Sequence, residues 1–155
     1  MFKRKSNIKI LVTYFMIGFL FSICITSVNA WIDWSAGPTF RYSDFGGYTY
    51  DSWHEIWIDK GSTPNTAMGY TEVKTSNLSN APAGYMGTSA YLYNSAGTLI
   101  ANTGWKYNSS SANMLYSLTQ STTTKGTYYS HGYTQAYNGN GYHTYRANRS
   151  PNMSN

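Results

Sequence analysis

Two tyrosine-dense runs stand on either side of a double Asn-Gly turn in Gly126–Pro151 (GTYYSHGYTQAYNGNGYHTYRANRSP). Asn and Gly accept the positive φ that tight hairpin turns require, and aromatic residues favour the pleated surface on each side. The stretch therefore predicts a closing β-hairpin. A loop of two or four residues taken from Asn138–Gly141 gives one and the same assignment of faces, because side chains alternate with a period of two. Tyr129, His131, Tyr133, Gln135 and Tyr137 then share a face with Tyr142, Thr144 and Arg146. Tyr128, Gly132, Ala136, Tyr145 and Ala147 occupy the other. The second set reads as core and the first as solvated. A three-residue loop would exchange them.

A solvated face of tyrosines beside His and Arg is a candidate binding platform, since rigid amphipathic rings offer contact area at low entropic cost. Its candidate binding residues are Tyr129, His131, Tyr133, Tyr137, Tyr142 and Arg146. Cross-strand pairing is also reason enough for tyrosine in a sheet, so the same rings can be read as packing.

The rest of the chain points to the same class. No window carries a 3.6-residue apolar stripe, and Gly, Asn and Ser clusters punctuate short alternating runs. Expected strands fall at Thr39–Ser43, Tyr48–Ile58, Ala67–Thr75, Gly84–Asn94, Thr98–Lys106 and Asn113–Ser121, ahead of the closing hairpin. In Gly84–Asn94, Tyr85, Tyr91 and Tyr93 share one side, and Met86, Ala90 and Leu92 the other. Asn94-Ser95-Ala96-Gly97 reads as a hairpin turn closed by glycine. The fold class expected is all-β: a single antiparallel β-sandwich of about eight short strands, residues 31–155, preceded by a cleavable signal peptide at residues 1–30.

That leader has a basic front (Lys3, Arg4, Lys5, Lys9), an apolar run from Ile10 to Ile25, and the small-residue exit Ser27-Val28-Asn29-Ala30. This is the layout of a secretory signal. The chain carries 11 basic and 6 acidic residues, a net charge of +5. Four of the basic residues lie in the leader, leaving seven against six, or +1, in the mature chain. The basic balance thus belongs to targeting and gives no reason to expect nucleic acid as a partner. Cys24, the one cysteine, leaves with the leader, so packing and hydrogen bonds must hold the mature chain without disulfides. A secreted, extracellular protein with no stable membrane anchor after cleavage is expected.

Catalytic chemistry finds no support in the residue pattern. The mature chain has no Cys and no G-x-S-x-G elbow, and hydroxyls are too numerous for a chance grouping with His54, His131 or His143 to carry weight. Those histidines lack the spacing of a zinc site and are expected to face solvent on strands. Asp44, Asp51, Glu55 and Asp59 crowd within sixteen residues but match no calcium loop, and read as separate solvated acids. No catalytic residue, metal or cofactor is expected.

Taken together, the segments PAGYMGTSAYLYNSAGTLI, GWKYNSSSA and KGTYYSHGYTQAYNGNGYHTYRANRSP resemble a group of small secreted Bacillus-type proteins, some encoded by prophages. The likeness covers the region from Pro82 to Pro151 and implies a Gram-positive exporter and a free extracellular protein; it brings no catalytic residue with it. The glycine-, tyrosine- and histidine-rich hairpins also resemble, less specifically, lactococcin-972-type bacteriocins. The function expected is a secreted non-enzymatic binding or interaction module whose partner is an extracellular glycan, cell-wall polymer or protein. A bacteriocin-like competition factor is the alternative.

Overall fold

The computed structural model describes residues 32–146 and 148–155; the expected signal peptide and Ala147 lie outside the described residues. Among the described residues, eleven strands build two antiparallel sheets, and the only helical element is a 3₁₀ turn at Phe45–Gly47. The strands are β1 Ile32–Ala36, β2 Phe40–Ser43, β3 Thr49–Asp59, β4 Thr66–Thr75, β5 Met86–Asn94, β6 Leu99–Asn102, β7 Lys106–Tyr107, β8 Met114–Leu118, β9 Thr127–Tyr137, β10 Tyr142–Arg146 and β11 Met153–Ser154.

Each sheet is organised on two long central strands. In the first, β3 pairs with β4 from Tyr50↔Thr75 to Asp59↔Thr66. In the second, β5 pairs with β9 from Met86↔Ala136 to Asn94↔Tyr128. The outer partners are short pieces laid end to end. β1 and β2 share the free side of β3, β10 and β11 share that of β9, and β6 and β7 share that of β5. β8 completes the first sheet beside β4.

This count corrects the expectation of about eight strands. Gly37-Pro38 divides β1 from β2, proline having no N–H to give a ladder. The run expected at Thr98–Lys106 breaks at Thr103-Gly104-Trp105, where Gly104 takes a positive φ of 64°. β11 is added by the C-terminal tail, whose Asn155 reaches Gly126. Both expected turns form. Asn94-Ser95-Ala96-Gly97 closes β5–β6 with Gly97 at φ 85°, and the closing hairpin pairs Tyr137 with Tyr142 around a four-residue loop.

Alternation along the central strands buries one face of each sheet against the other. Two apolar clusters result, one at each end of the interface. Tyr42, Tyr50, Val73, Ala81, Met86 and Ala136 form one, and Ile56, Ile58, Ala67, Leu92 and Tyr128 form the other. Burial of each large aliphatic side chain contributes about 1.5–3 kcal/mol. The inward parity of Tyr128, Gly132 and Ala136 in β9 is as expected, and Tyr145 of β10 stacks on Tyr42 at 3.7 Å between ring centroids.

Between the clusters the interface is polar. Ser52, His54, Thr71, Thr88, Ser117, Ser130 and Thr134 all have no solvent exposure. Most are partnered: Thr88 shares a 2.7 Å hydrogen bond with Ser117, the Tyr42 hydroxyl donates to Thr134 at 3.1 Å, and His54 Nδ1 meets Thr71 Oγ1 at 2.8 Å. The sheets approach closely here because glycine occupies two central positions. A Cβ on Gly132 would lie 2.3 Å from Thr71 Oγ1, and one on Gly69 would lie 2.8 Å from the Tyr91 carbonyl oxygen.

The buried imidazole corrects the expectation that all three histidines face solvent. His54 is on the inward parity of β3, opposite Gly132, where the missing side chain makes room for it. Desolvation, then the neighbouring His131, pulls its pKa down to about 3. His131 is on the outward parity but only 7% exposed, because rings and an arginine cover it. His143 is the exposed one, and its ring pairs with Asp44 at 2.9 Å.

Candidate functional site

The outer face of the second sheet collects the predicted binding residues, and β5 supplies a row that the closing hairpin alone does not contain. Tyr93 lies opposite Tyr129, Tyr91 opposite His131, and Ser89 opposite Tyr133, with Arg146 of β10 on the far side of Tyr133. The result is a tyrosine lattice. Tyr93 and Tyr129 stack at 5.2 Å with planes 12° apart, Tyr91 meets Tyr133 edge to face at 5.7 Å, and Tyr133 lies 5.5 Å from the His131 ring.

The six predicted residues fall into two groups. Tyr137 and Tyr142 belong to the turn end. Their rings pack with Phe45, Tyr85 and Tyr107, while the Tyr142 hydroxyl donates to the Gly84 carbonyl at 2.8 Å and that of Tyr137 to Gly139 at 2.7 Å. Gln135 is committed there as well, accepting from Tyr107 and donating to Thr144. These rings act as packing, the structural reading of tyrosine in a sheet.

Tyr129, His131 and Arg146 belong to the other group. Together with Asn148 and Arg149 they line an open cleft of about 430 Å³, and Tyr133 flanks it. Arg146 donates its Nε–H to His131 Nε2, which fixes that nitrogen as an acceptor. Burial first, then the charges of Arg146 and Arg149, hold the His131 pKa below its ordinary value, so the ring is neutral in near-neutral solution. Arg149 lies over Tyr129, its Cζ 3.6 Å from the ring centroid, in a cation–π contact.

The segment carrying Arg149 follows the last hairpin strand and is fastened to β9. Ser130 donates its N–H to Ser150 Oγ at 2.8 Å, and the Ser150 N–H returns to the Ser130 carbonyl at 3.0 Å. From below, Gly37 packs so tightly that a Cβ there would lie 2.7 Å from the Asn148 carbonyl oxygen and 2.9 Å from that of Arg149. Asn148 and Arg149 are residues that sequence reasoning missed. They lie beyond the periodic part of the hairpin, where strand parity has no reach. Tyr91 and Tyr93 had a signal: their shared side in Gly84–Asn94 would have placed them here once β5 was paired with β9.

The opposite outer face, on the first sheet, is also aromatic, and it holds an open cleft of about 420 Å³ lined by Trp34, Asp51, Trp53, Glu55 and Lys74. Trp57 and Tyr70 stack at 4.8 Å, and Tyr70 and Tyr116 at 5.6 Å. Glu55 accepts both indole N–H groups, from Trp53 at 3.2 Å and from Trp57 at 2.5 Å. Tyr70 donates to Glu72, whose carboxyl is pushed up by burial, and Lys74 sits 4.6 Å from the centroid of Trp53. The remaining acids are dispersed. Asp51 pairs with Arg41, Asp59 binds the Gly61–Ser62 turn, and Asp44 accepts from Phe45 N–H and the Tyr145 hydroxyl.

Fold and site together define an all-β protein of two antiparallel sheets, with a tyrosine- and arginine-lined cleft on one outer face. No family model, curated protein or solved structure matches the chain.

Proposed function

We propose that this chain is an exported, non-enzymatic β-sandwich module that binds an extracellular ligand, a glycan or cell-wall polymer, on the outer face of β5, β9 and β10. One observation carries the reading: Tyr129, backed by Tyr93, converges with His131, Arg146 and Arg149 on one open cleft whose rings and cations are held in place by neighbouring structure. Pre-ordered aromatic and guanidinium groups lose little entropy on binding, which is what a recognition surface requires. His131 is occupied as an acceptor from Arg146, a positioning role and not that of a proton-abstracting base.

The test is retention on insoluble cell-wall preparations and on soluble glycans immobilised on beads, using the protein without its leader. Wild type should be retained, Tyr129→Ala should lose most of that retention, and Tyr116→Ala, on the opposite sheet, should keep it. Equal retention of both variants would overturn the assignment to this face, and failure of the wild type across all wall and glycan preparations would overturn the function.

A further inference from the structure

We infer that the cleft between Tyr129 and Arg146 is a phosphate-recognition site, so that the ligand bound on this face carries a phosphate group. The inference deepens the proposed function and rests on its reading of this face as a binding surface. The cleft is lined by Tyr129, His131, Arg146, Asn148 and Arg149, and no carboxylate is among them.

The charge is uncompensated. Among the described residues, the ion pairs join Arg41 to Asp51, Lys60 to Asp33 and His143 to Asp44, and neither Arg146 nor Arg149 takes part in one. Both arginines are exposed, and their polar contacts are to neutral groups: Arg146 to the His131 ring, Arg149 to the Asn152 side chain and the face of Tyr129. Two guanidinium groups at the mouth of one cleft repel one another, an arrangement an anion relieves. The chain has dispersed its acids elsewhere, and Glu55 spends both carboxylate oxygens on indoles of the other sheet.

The geometry selects among anions. Arg146 is held through Nε by an uncharged acceptor, and Arg149 is held over the face of a ring, so each guanidinium is positioned without being neutralised. Planar forks of this kind match phosphate and carboxylate oxygens, with two parallel N–H···O bonds. A phosphomonoester carries nearly two negative charges and three acceptor oxygens at neutral pH, which suits two cations better than the single charge of a carboxylate. Asn148 adds a neutral amide at the same rim. Beside the anion, Tyr129 and Tyr133 offer the apolar surface against which a sugar ring packs.

The experiment is titration of the leader-free protein with glucose 6-phosphate, glucuronate and glucose, followed by calorimetry at low and moderate salt. Glucose 6-phosphate should bind about tenfold or more tighter than glucose, and more tightly than glucuronate, with affinity that falls as salt rises. Arg149→Ala should lower that affinity by about tenfold to a hundredfold, and Arg149→Lys should restore only part of it, because the charge returns without the fork. A melting curve on each variant confirms folding.

Equal affinity for glucose and glucose 6-phosphate would overturn the inference, as would tighter binding of glucuronate. The two readings fail separately. If wall retention survives Arg149→Ala but is lost in Tyr129→Ala, the binding face stands and the phosphate site falls. If glucose 6-phosphate binds in an Arg149-dependent way while no wall or glycan preparation retains the protein, the phosphate site stands and the proposed function falls.

Discussion

Lowering the pH from about 7.5 to about 5 probes the imidazole of His54 in its place between the sheets. The ring has no solvent exposure, its Nδ1 is engaged with Thr71, and its Nε2 has no partner among the described residues. Protonation would place an uncompensated charge in the core, and the folded-state pKa is accordingly pulled down to about 3. In the unfolded chain the same ring titrates near its ordinary value of about 6.5. Between those two values the unfolded state binds the extra proton, so stability falls as the pH falls, by about 1.4 kcal/mol per pH unit. At about pH 5 the expected loss from this one site is about 2 kcal/mol, a sizeable fraction of the roughly 5–15 kcal/mol that holds a domain of ordinary stability. His131, also held below its ordinary value, adds to the slope in the same direction. Asp51 and Asp59, whose carboxyls are held low by Arg41 and by Ser62 respectively, lose their contribution only in stronger acid. Urea unfolding followed by tryptophan fluorescence at the two pH values reads the effect. His54→Gln should be less stable than wild type at about pH 7.5, yet its acid-induced loss should be smaller by about 2 kcal/mol. If the variant and the wild type lose equal stability on acidification, the buried neutral imidazole is not the cause and the reasoning fails.

Three further outcomes follow from the same contacts. Gly132→Ala puts a Cβ 2.3 Å from Thr71 Oγ1 and 2.5 Å from the Ser89 carbonyl oxygen, so the sheets must separate; a loss of about 3 kcal/mol is expected in urea unfolding, and an unchanged midpoint contradicts the close approach. Asp44→Ala removes the acceptor of the Tyr145 hydroxyl and of the Phe45 N–H. It should cost about 2 kcal/mol and lower the Tyr145 hydroxyl pKa, pushed up to about 12 by burial and by Asp44, which ultraviolet titration of the tyrosines can follow. Ser150→Ala frees the segment that carries Arg149; a modest stability loss of about 1–2 kcal/mol should accompany a clear drop in glucose 6-phosphate binding, and full binding in that variant would show that the anchor is dispensable.

Parity made the closing hairpin legible. Asn138–Gly141 forms a four-residue loop, Tyr137 meets Tyr142, and every face assignment among the described residues follows from the period of two. The same rule placed Met86, Ala90 and Leu92 together, and all three are fully buried. The polar interior was not legible. Ser52, His54 and Thr71 have the composition of a solvated strand face, and only the stacking of one sheet on the other, set by contacts far apart in sequence, puts them inside. The site was half legible for a related reason. Tyr129, His131 and Arg146 lie on a periodic strand pair, whereas Arg149 is placed by Ser150 and Gly37, through hydrogen bonding and close packing that leave no repeating trace. β1 escaped notice because Ile32–Ala36 is short and draws its stability from pairing with β3, not from its own pattern.

The end-to-end pieces flanking the long strands bear on self-association. A free sheet edge is a template: its unpaired N–H and C=O groups invite another extended chain, and the longer and flatter the edge, the stronger the invitation. Here the eleven-residue strands β3 and β9 are enclosed within their sheets, and no flanking strand exceeds five residues. An incoming strand that followed β1 would meet the Gly37-Pro38 break before reaching β2, and one that followed β10 would meet the Ser150 anchor before reaching β11. In a chain so rich in tyrosine, a residue that favours strands, the interrupted border leaves little continuous edge for another strand to pair with.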